Sequence, residues 1–351
     1  MFHFDRDFVD KNGERYMLPV RMQALLRDLM NQYVIRKEYG TGDFEFLLGD
    51  LPYSELTGSL AWTPFAAGTM LWGEPDQWAW FRQRITVPEE FEGETLWYAV
   101  FHNTTDAEWH WGHPQAQLYV NGECVFGLDS NHRKYLLRNR AKGGETIEIA
   151  IKVYSDLTYF AGKMTMAARL QVLRPQVYEL YQSLIVPLKA AALMDSDSLA
   201  RVQLVARLNE AMSLLEIGQA PDSQAFLDSV EAAQRFLREN LYGTMRTGSE
   251  PVLWSIGHSH IDVAWQWTYH VSRNKAARTF GTNLRLLEEN PEYLFMASQP
   301  VLYEYVKEDQ PALYEQVRKR VAEGRWEPEG GMYVEADTNL TGGESLVRQF
   351  L

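Results

Sequence analysis

Residues 252–351 alternate short apolar runs with longer amphipathic segments, and few folds accept that order. The strand-like runs are VLWSIGH (252–258), YLFMAS (293–298) and part of RWEPEGGMYVEAD (325–337). The helical segments between and after them are RNKAARTFGTNLRLLEEN (273–290), PVLYEYVKED (300–309), PALYEQVRKRVAEG (311–324) and GESLVRQFL (343–351). A regular strand–helix order predicts a parallel sheet covered by helices, as in the first part of a (β/α) barrel.

The last helical segment carries an apolar face made of Leu346, Val347, Phe350 and Leu351, with no residue after it to cap the helix. A sheet of three strands is also too small to close into a barrel. We therefore expect the chain to stop inside a catalytic barrel.

A second pattern precedes the barrel segment, because residues 51–175 alternate apolar and polar side chains with a period of two. WFRQRITV (80–87) and TIEIAIKV (146–153) both show this alternation. In LYVNGECVF, Asn121 and Gly122 accept the positive φ angles of a type I′ hairpin turn. Short strands of this kind predict a jelly-roll-like β-sandwich.

Helical spacing marks the two remaining parts of the chain. A first helix is predicted over 19–37, and a later one runs from Asp222 as a candidate N-cap to Gly243. We expect four parts: an N-terminal helical segment (1–50), a β-sandwich (51–175), a helical linker domain (176–245) and the start of the barrel (246–351).

Charge and cysteine content restrict the partners and the compartment. The net charge of −13 argues against nucleic acid and anionic membranes as partners. No apolar run has the length of a membrane span, and the acidic N-terminus is not a signal peptide. The single cysteine, Cys124, fits a reducing compartment, so we expect the cytoplasm. The sequence leaves open whether the chain forms a homo-oligomer.

GHSHIDVAWQW (257–267) is the stretch with the clearest chemical character, and it follows the first strand of the barrel segment. In extended backbone His258, His260 and Asp262 project to the same side, at the strand end where α/β proteins place their active sites. Imidazole and carboxylate are ligands of Zn²⁺, but a catalytic zinc site needs more of them. A structural role is the alternative: one histidine bonds a backbone carbonyl and Asp262 caps the next helix.

Aromatic residues accompany this motif and a loop of the sandwich. Trp265 reaches the same pocket if the chain turns into a helix after Asp262, whereas Trp267 is assigned to packing.

In the loop DAEWHWGHPQ (106–115), His110 and His113 lack a nearby carboxylate or cysteine cluster, so we interpret them as ordinary loop residues. The tryptophans of that loop could bind a sugar, but we favour the alternative, a structural accessory domain whose tryptophans pack on a neighbouring part of the protein.

The motif GHSHIDVAWQW, together with RWEPEGGMYVEADTNLTGGESLVRQFL (325–351), resembles glycoside hydrolase family 38, the α-mannosidases. The resemblance implies that His260 and Asp262 bind Zn²⁺, that Trp265 lines the subsite of the mannose being cleaved, and that His258 supports the site. Glu335 and Asp337, with Asn339, follow the third predicted strand and are expected to bind substrate, unless they cap the next helix instead. The family's nucleophile, its general acid and its remaining metal ligand are expected downstream of Leu351.

The resemblance further implies zinc-dependent, retaining hydrolysis of terminal α-mannosides in oligosaccharides, although a mixed histidine and carboxylate site also accepts other divalent ions. We expect the 351-residue chain alone to lack useful hydrolase activity. Two other functions stay open. A metal-dependent amidohydrolase barrel would use both His258 and His260 as ligands, and a sugar-binding accessory module would act through the sandwich.

Overall fold

The computed structural model describes residues 20–56, 58–102, 115–129, 132–157, 162–195, 198–243 and 254–351. Their strands are β1 (Ile35–Gly40), β2 (Phe44–Leu48), β3 (Thr63–Phe65), β4 (Trp78–Thr86), β5 (Leu96–Phe101), β6 (Gln115–Val120), β7 (Glu123–Leu128), β8 (Lys134–Arg138), β9 (Thr146–Tyr154), β10 (Ala167–Leu173), β11 (Gly257–His258), β12 (Phe295–Ala297) and β13 (Trp326–Pro328). Their α-helices are α1 (Val20–Asp28), α2 (Pro175–Leu193), α3 (Leu199–Ser213), α4 (Gln224–Leu237), α5 (Tyr269–Glu289), α6 (Pro300–Asp309), α7 (Pro311–Ala322) and α8 (Gly343–Arg348).

Contacts group the chain into two compact units. One comprises Met1–Glu38 and Gln171–Leu253, and the other comprises Tyr39–Leu170 and Trp254–Leu351. The division of the chain into four parts, expected from the sequence, stays a prediction. The loop histidines His110 and His113 lie outside the described residues.

In the first unit, the predicted helix over 19–37 ends earlier than expected. α1 continues as a π-helical turn over Leu29–Val34, and Ile35 already begins β1. The buried guanidinium of Arg174 donates from Nη1 to the backbone oxygens of Tyr33 (2.8 Å) and Ile35 (3.2 Å). In a longer helix these two carbonyl oxygens would accept from later backbone N–H groups. Because Arg174 bonds them instead, the helix ends at this point.

The start of α4 also differs from the prediction, because Ser223 and not Asp222 is its N-cap. The Ser223 hydroxyl accepts from the Phe226 backbone N–H at 3.3 Å. Asp222 instead receives two bonds from Arg174, at 2.8 and 2.9 Å, and this guanidinium lowers the pKa of the Asp222 carboxyl. Asp222 therefore pairs with an arginine distant in the sequence instead of capping its own helix.

Two antiparallel sheets form over residues 35–173, so they begin before the predicted sandwich boundary at residue 51, and β1 and β2 lie in the segment predicted to be helical. Their strand orders are β3-β2-β4-β9-β6-β7 and β1-β10-β5-β8, and the pairings with a described register are antiparallel. Gln83 on β4 donates to the buried Tyr98 hydroxyl on β5 at 2.5 Å, so the two sheets share interior contacts. The structure agrees with an antiparallel β domain, whereas its jelly-roll-like connections stay a prediction.

The hairpin between β6 and β7 has the predicted turn. Asn121 and Gly122 have φ angles of 49° and 92°, and Val120 pairs with Glu123 across them. The Asn121 side chain also accepts from the Glu148 backbone N–H at 2.9 Å. Positive φ at both central residues is the signature of a type I′ turn, which confirms the expectation.

The predicted parallel sheet is present, with the order β11-β12-β13. α5 connects the first two strands, and α6 with α7 connects the second and third. Phe280 of α5 packs edge-on against the buried Trp326 of β13, which also contacts Phe295 of β12. Strand β11 is shorter than predicted and starts at Gly257. Closure into a (β/α) barrel stays a prediction.

Helix α5 packs closely on strand β7 through two glycines. Gly127 of β7 lies against Arg278 and Thr282, and its N–H donates to the Thr282 hydroxyl at 3.2 Å. On the helix, Gly281 faces the backbone of Phe126 at 3.5 Å from where a Cβ would lie. Within this unit the contact between α5 and β7 therefore joins the parallel sheet to the antiparallel one. At Gly127 the two elements are too close for a side chain.

We expect Gly127→Ala to lower the free energy of unfolding by about 1–3 kcal/mol, because the added Cβ overlaps the Arg278 side chain and lies 2.8 Å from the Arg278 carbonyl oxygen. Gly281→Ala is the matched control, since its Cβ makes ordinary contacts at 3.5–3.6 Å and alanine favours a helix. Urea denaturation of both variants measures the difference. Equal destabilisation by the two substitutions would contradict this description of the interface.

Candidate metal centre

The motif that includes His260 lies at the carboxyl end of the parallel sheet, directly after β11. Ile261 is only 5% exposed and belongs to the core beneath the sheet. The side chains on either side of it, His260 and Asp262, are 49% and 44% exposed. The buried isoleucine therefore anchors the segment and turns its two polar neighbours towards the same open edge.

His260 lies between two carboxylates. Its Nε2 is 3.0 Å from Asp262 Oδ1, and its Nδ1 is 2.9 Å from Glu335 Oε2. Glu335 comes from the loop after β13, so the contact joins residues far apart in the sequence. The Nε2–Asp262 contact has the geometry of a hydrogen bond, whereas Glu335 lies beside Nδ1 as an ion-pair neighbour.

Gln299 holds the two loops of this site together, and the sequence reasoning missed it. Its side chain is 2% exposed, donates from Nε2 to the Ile261 backbone oxygen at 2.8 Å, and accepts at Oε1 from the Glu335 N–H at 3.2 Å. Gln299 stands just after β12 with φ at +66°, a region that few residues other than glycine adopt. The only signal in the sequence is a polar residue between a strand and Pro300.

Two predicted site residues are not brought to His260. The His258 side chain is exposed, and no hydrogen bond or ion pair joins it to His260 or Asp262 in the part of the chain that the structure describes. Asp337 Oδ1 accepts from the Asn339 N–H at 2.8 Å, and its carbonyl accepts from Thr341 at 3.0 Å. Asp337 thus closes a turn in its own loop and does not cap the next helix, whose N-cap is Gly342.

The two tryptophans of the motif have different environments. Trp267 is half-buried: its Nε1 donates to Ser272 Oγ at 2.9 Å, and that hydroxyl donates to the Asp262 carbonyl at 3.1 Å. Trp265 is 58% exposed and meets Trp267 edge-on, with ring centroids 5.5 Å apart. Trp267 packs as predicted, whereas Trp265 lies mostly at the surface.

A lysine near the motif has unusual protonation. Lys275 Nζ lies 4.3 Å from the centroid of the Trp267 ring and donates to Gln115 Oε1 at 2.9 Å. Burial, together with the charge of Arg278, lowers the pKa of Lys275 to about 7, while Asp262 acts in the opposite direction.

The imidazole and carboxylate groups at this position are of the chemical types that bind divalent metal ions. The imidazole of His260 and the carboxylate of Asp262 face each other at 3.0 Å, and both are common zinc ligands. Across the described ranges, however, no group of three or more histidine, cysteine, aspartate or glutamate side chains is arranged to hold a metal ion. These residues therefore supply part of a ligand set, to which further donors would have to be added.

Comparison with known proteins connects this geometry to a family. Residues 251–351 match the glycosyl hydrolases family 38 N-terminal domain. Alpha-mannosidase G of Dictyostelium discoideum is 27% identical over 290 residues, which cover 78% of this chain and 25% of that protein. Human alpha-mannosidase 2C1 is 29% identical over 293 residues, covering 79% of this chain and 27% of that protein. The alpha-mannosidase of Saccharomyces cerevisiae is 37% identical over 99 residues, covering 28% and 9% of the two chains.

The chain thus spans about a quarter of the length of the first two relatives. Among the described residues, no helix combines the length and apolar character required to cross a membrane.

We expect Trp267→Ala to lower the free energy of unfolding by about 1–3 kcal/mol, because it leaves Ser272 without its donor and removes half-buried ring area. Trp265→Ala should change it by less than about 1 kcal/mol, since that ring is exposed. Thermal denaturation followed by circular dichroism compares the two variants. A larger loss from Trp265→Ala would show that Trp265 serves packing instead of a surface role.

Proposed function

We propose that the chain is part of a metal-dependent α-mannosidase, because residues 251–351 match the N-terminal domain of glycosyl hydrolases family 38. In this proposal the whole protein hydrolyses terminal α-mannosides in glycans. The observation that carries it is the meeting of His260 Nε2 and Asp262 Oδ1 at 3.0 Å, at the end of β11 and inside the matched domain. The names of the relatives, all α-mannosidases, support the substrate class.

His260 and Asp262 are the residues that would hold the metal. One nitrogen and one oxygen donor suit Zn²⁺, although other divalent ions accept the same pair. When bound, such an ion supplies positive charge that holds the sugar hydroxyl oxygens and stabilises charge in the transition state. The exposure of both side chains, close to one half, leaves them accessible to an ion and to a sugar.

Trp265 is the proposed sugar contact on this chain. Its 58% exposed ring stands three residues after Asp262, and an exposed indole face packs well against the apolar face of a pyranose. The fixed Trp267 beneath it sets the ring's position through the edge-on contact. Asp337 stays a proposed substrate residue of the same edge, although its Oδ1 bond to the Asn339 N–H keeps its carboxylate within its own turn.

For the reaction itself we propose hydrolysis with retention of configuration. One carboxylate attacks the anomeric carbon as a second carboxylic acid protonates the leaving oxygen, and water then hydrolyses the glycosyl-enzyme. We assign neither carboxyl role to a residue of this chain. Its residues bind and orient: His260 and Asp262 towards the metal, and Trp265 towards the sugar.

The amidohydrolase alternative receives less support from the geometry. It requires His258 and His260 as joint ligands, yet of these two histidines only His260 has carboxylate partners within the described ranges. The accessory-module alternative depends on the loop over 106–115, almost all of which lies outside those ranges.

We expect His260→Ala and Asp262→Asn each to weaken Zn²⁺ binding to the chain at least about tenfold, because each removes one of two donors. His258→Ala, the control, should change the affinity by less than about twofold. Competition with a chromogenic chelator measures all three variants. Equal losses from His258→Ala and His260→Ala would favour the amidohydrolase, and absence of zinc binding by the unmodified chain would contradict the metal assignment.

A second test addresses the reaction in a protein that includes this chain and the further segments its relatives possess. With 4-nitrophenyl α-mannoside as substrate, proton NMR should detect α-mannose before its mutarotation to the β-anomer. Release of β-mannose first would contradict the retaining mechanism, and absence of turnover with zinc supplied would contradict the proposed activity.

A further inference from the structure

We propose that the six-stranded sheet carries a second binding site, for a neutral oligosaccharide, apart from the candidate metal centre. The site is a cavity of about 450 Å³ over strands β2, β4 and β9, a volume within the usual range of ligand pockets. This sheet groove is lined by residues that include Glu45, Tyr53, Arg82, Arg84, Glu148 and Ala150. The inference goes beyond the proposed function and rests on it only for the choice of a mannoside as the first probe.

The sheet groove lies on the face of β4 that is turned away from the other sheet. Gln83 of β4 donates to Tyr98 of the four-stranded sheet, so its side chain points inwards. Successive side chains of a strand alternate between the two faces, and Arg82 and Arg84 therefore point outwards. Both arginines retain exposed surface there.

Strand register places a small residue at the centre of this face. Arg82 lies opposite Glu45 of β2 on one side and opposite Ala150 of β9 on the other. Ala150 in turn lies opposite Tyr119 of β6. Directly paired residues share a face, so one methyl group stands in a row between longer side chains. That row has a depression at Ala150, which forms the floor of the sheet groove.

An aromatic ring supplies one wall of the sheet groove. Tyr53 stacks on Tyr119, with ring centroids 4.9 Å apart and planes inclined by 8°. Burial, with the negative charge of Glu148, raises the pKa of the Tyr53 hydroxyl, which therefore stays a neutral donor. A fixed ring with a hydroxyl at its tip offers an apolar surface and a hydrogen bond together, as a pyranose requires.

The charges of the sheet groove balance, which favours a ligand without charge. Arg82 pairs with Glu45 at 2.7 Å, and Arg84 pairs with Glu148 at 2.5 Å. A hydroxyl group both donates and accepts, so it can bond a carboxylate and a guanidinium of one pair at once. A charged ligand would instead be repelled by one member of each pair.

The polar groups are also held in place before any ligand arrives. The Arg82 guanidinium lies 3.9 Å from the centroid of the Trp62 ring as well as beside Glu45. The Glu148 backbone N–H donates to Asn121 Oδ1 at 2.9 Å, which fixes the strand that carries its carboxylate. Groups that are ordered in advance lose little further freedom when a ligand binds.

Methyl NMR of the alanine-labelled chain without zinc tests the site directly. Titration with α-linked mannotriose, and separately with cellotriose, should shift the Ala150 methyl signal, which is assigned by its loss in Ala150→Gly. Ala264, next to Trp265, reports on the candidate metal centre in the same spectra. No shift of Ala150 with either trisaccharide would overturn the proposal, and so would tighter binding of inorganic phosphate than of both sugars.

Substitution of the exposed pair tests which groups bind the sugar. We expect Arg84→Ala and Glu148→Ala each to weaken the affinity measured at Ala150 at least about fivefold, because each removes a charged hydrogen-bonding group. Their side chains are 72% and 56% exposed, so both variants should fold. Arg318→Ala is the matched control, since Arg318 forms an exposed pair with Glu315 on α7, and it should change the affinity by less than about twofold. Equal weakening by all three variants would count against the sheet groove.

The same titrations separate this proposal from the proposed function. His260→Ala should leave the Ala150 response unchanged, because His260 is not among the lining residues. If Ala150 responds but the chain binds no zinc, the metal assignment fails and the sheet groove remains. If zinc binds through His260 and Asp262 but neither trisaccharide moves Ala150, the metal assignment remains and the sheet groove is wrong.

Discussion

The buried carboxamide of Gln299 is the interaction on which the geometry of the candidate site depends. It bonds Ile261, 38 residues earlier, and Glu335, 36 residues later, so it connects the loops that follow β11 and β13 from its own position after β12. Parallel pairing brings the three strand ends to one edge, but pairing alone does not set the distance between side chains on separate loops. The two bonds of Gln299 do so, and they account for a glutamine at a φ of +66°.

Helix α5 connects this edge to the rest of its unit. Ser272, in its first turn, bonds the Asp262 carbonyl and supports Trp267. Phe280, further along, packs on Trp326 beneath the sheet, while Gly281 lies against strand β7 on another face. One helix thus positions the segment that includes Asp262 and packs the parallel sheet against the antiparallel one within the same unit.

Local patterns were sufficient for much of the fold. The strand–helix order predicted the parallel sheet, and α6 has the predicted bounds because Pro300 opens it and Pro311 follows it. The paired positive φ angles at Asn121 and Gly122 also follow from residue chemistry alone. The end of the first helix could not be predicted in this way, since it depends on Arg174, which is distant in the sequence. Likewise, nothing local distinguishes Glu335 from Asp337, and only the folded chain shows which carboxylate reaches His260.

We propose that His260 and Asp262 form part of a metal site at the carboxyl end of the parallel sheet. Anomalous diffraction from zinc-soaked crystals of the chain, recorded above and below the zinc absorption edge, tests it most directly. We expect a peak at about 2.0–2.2 Å from both His260 Nε2 and an Asp262 carboxylate oxygen. A peak bound through His260 Nδ1, a peak shared by His258 and His260, or no peak at Asp262 would contradict it.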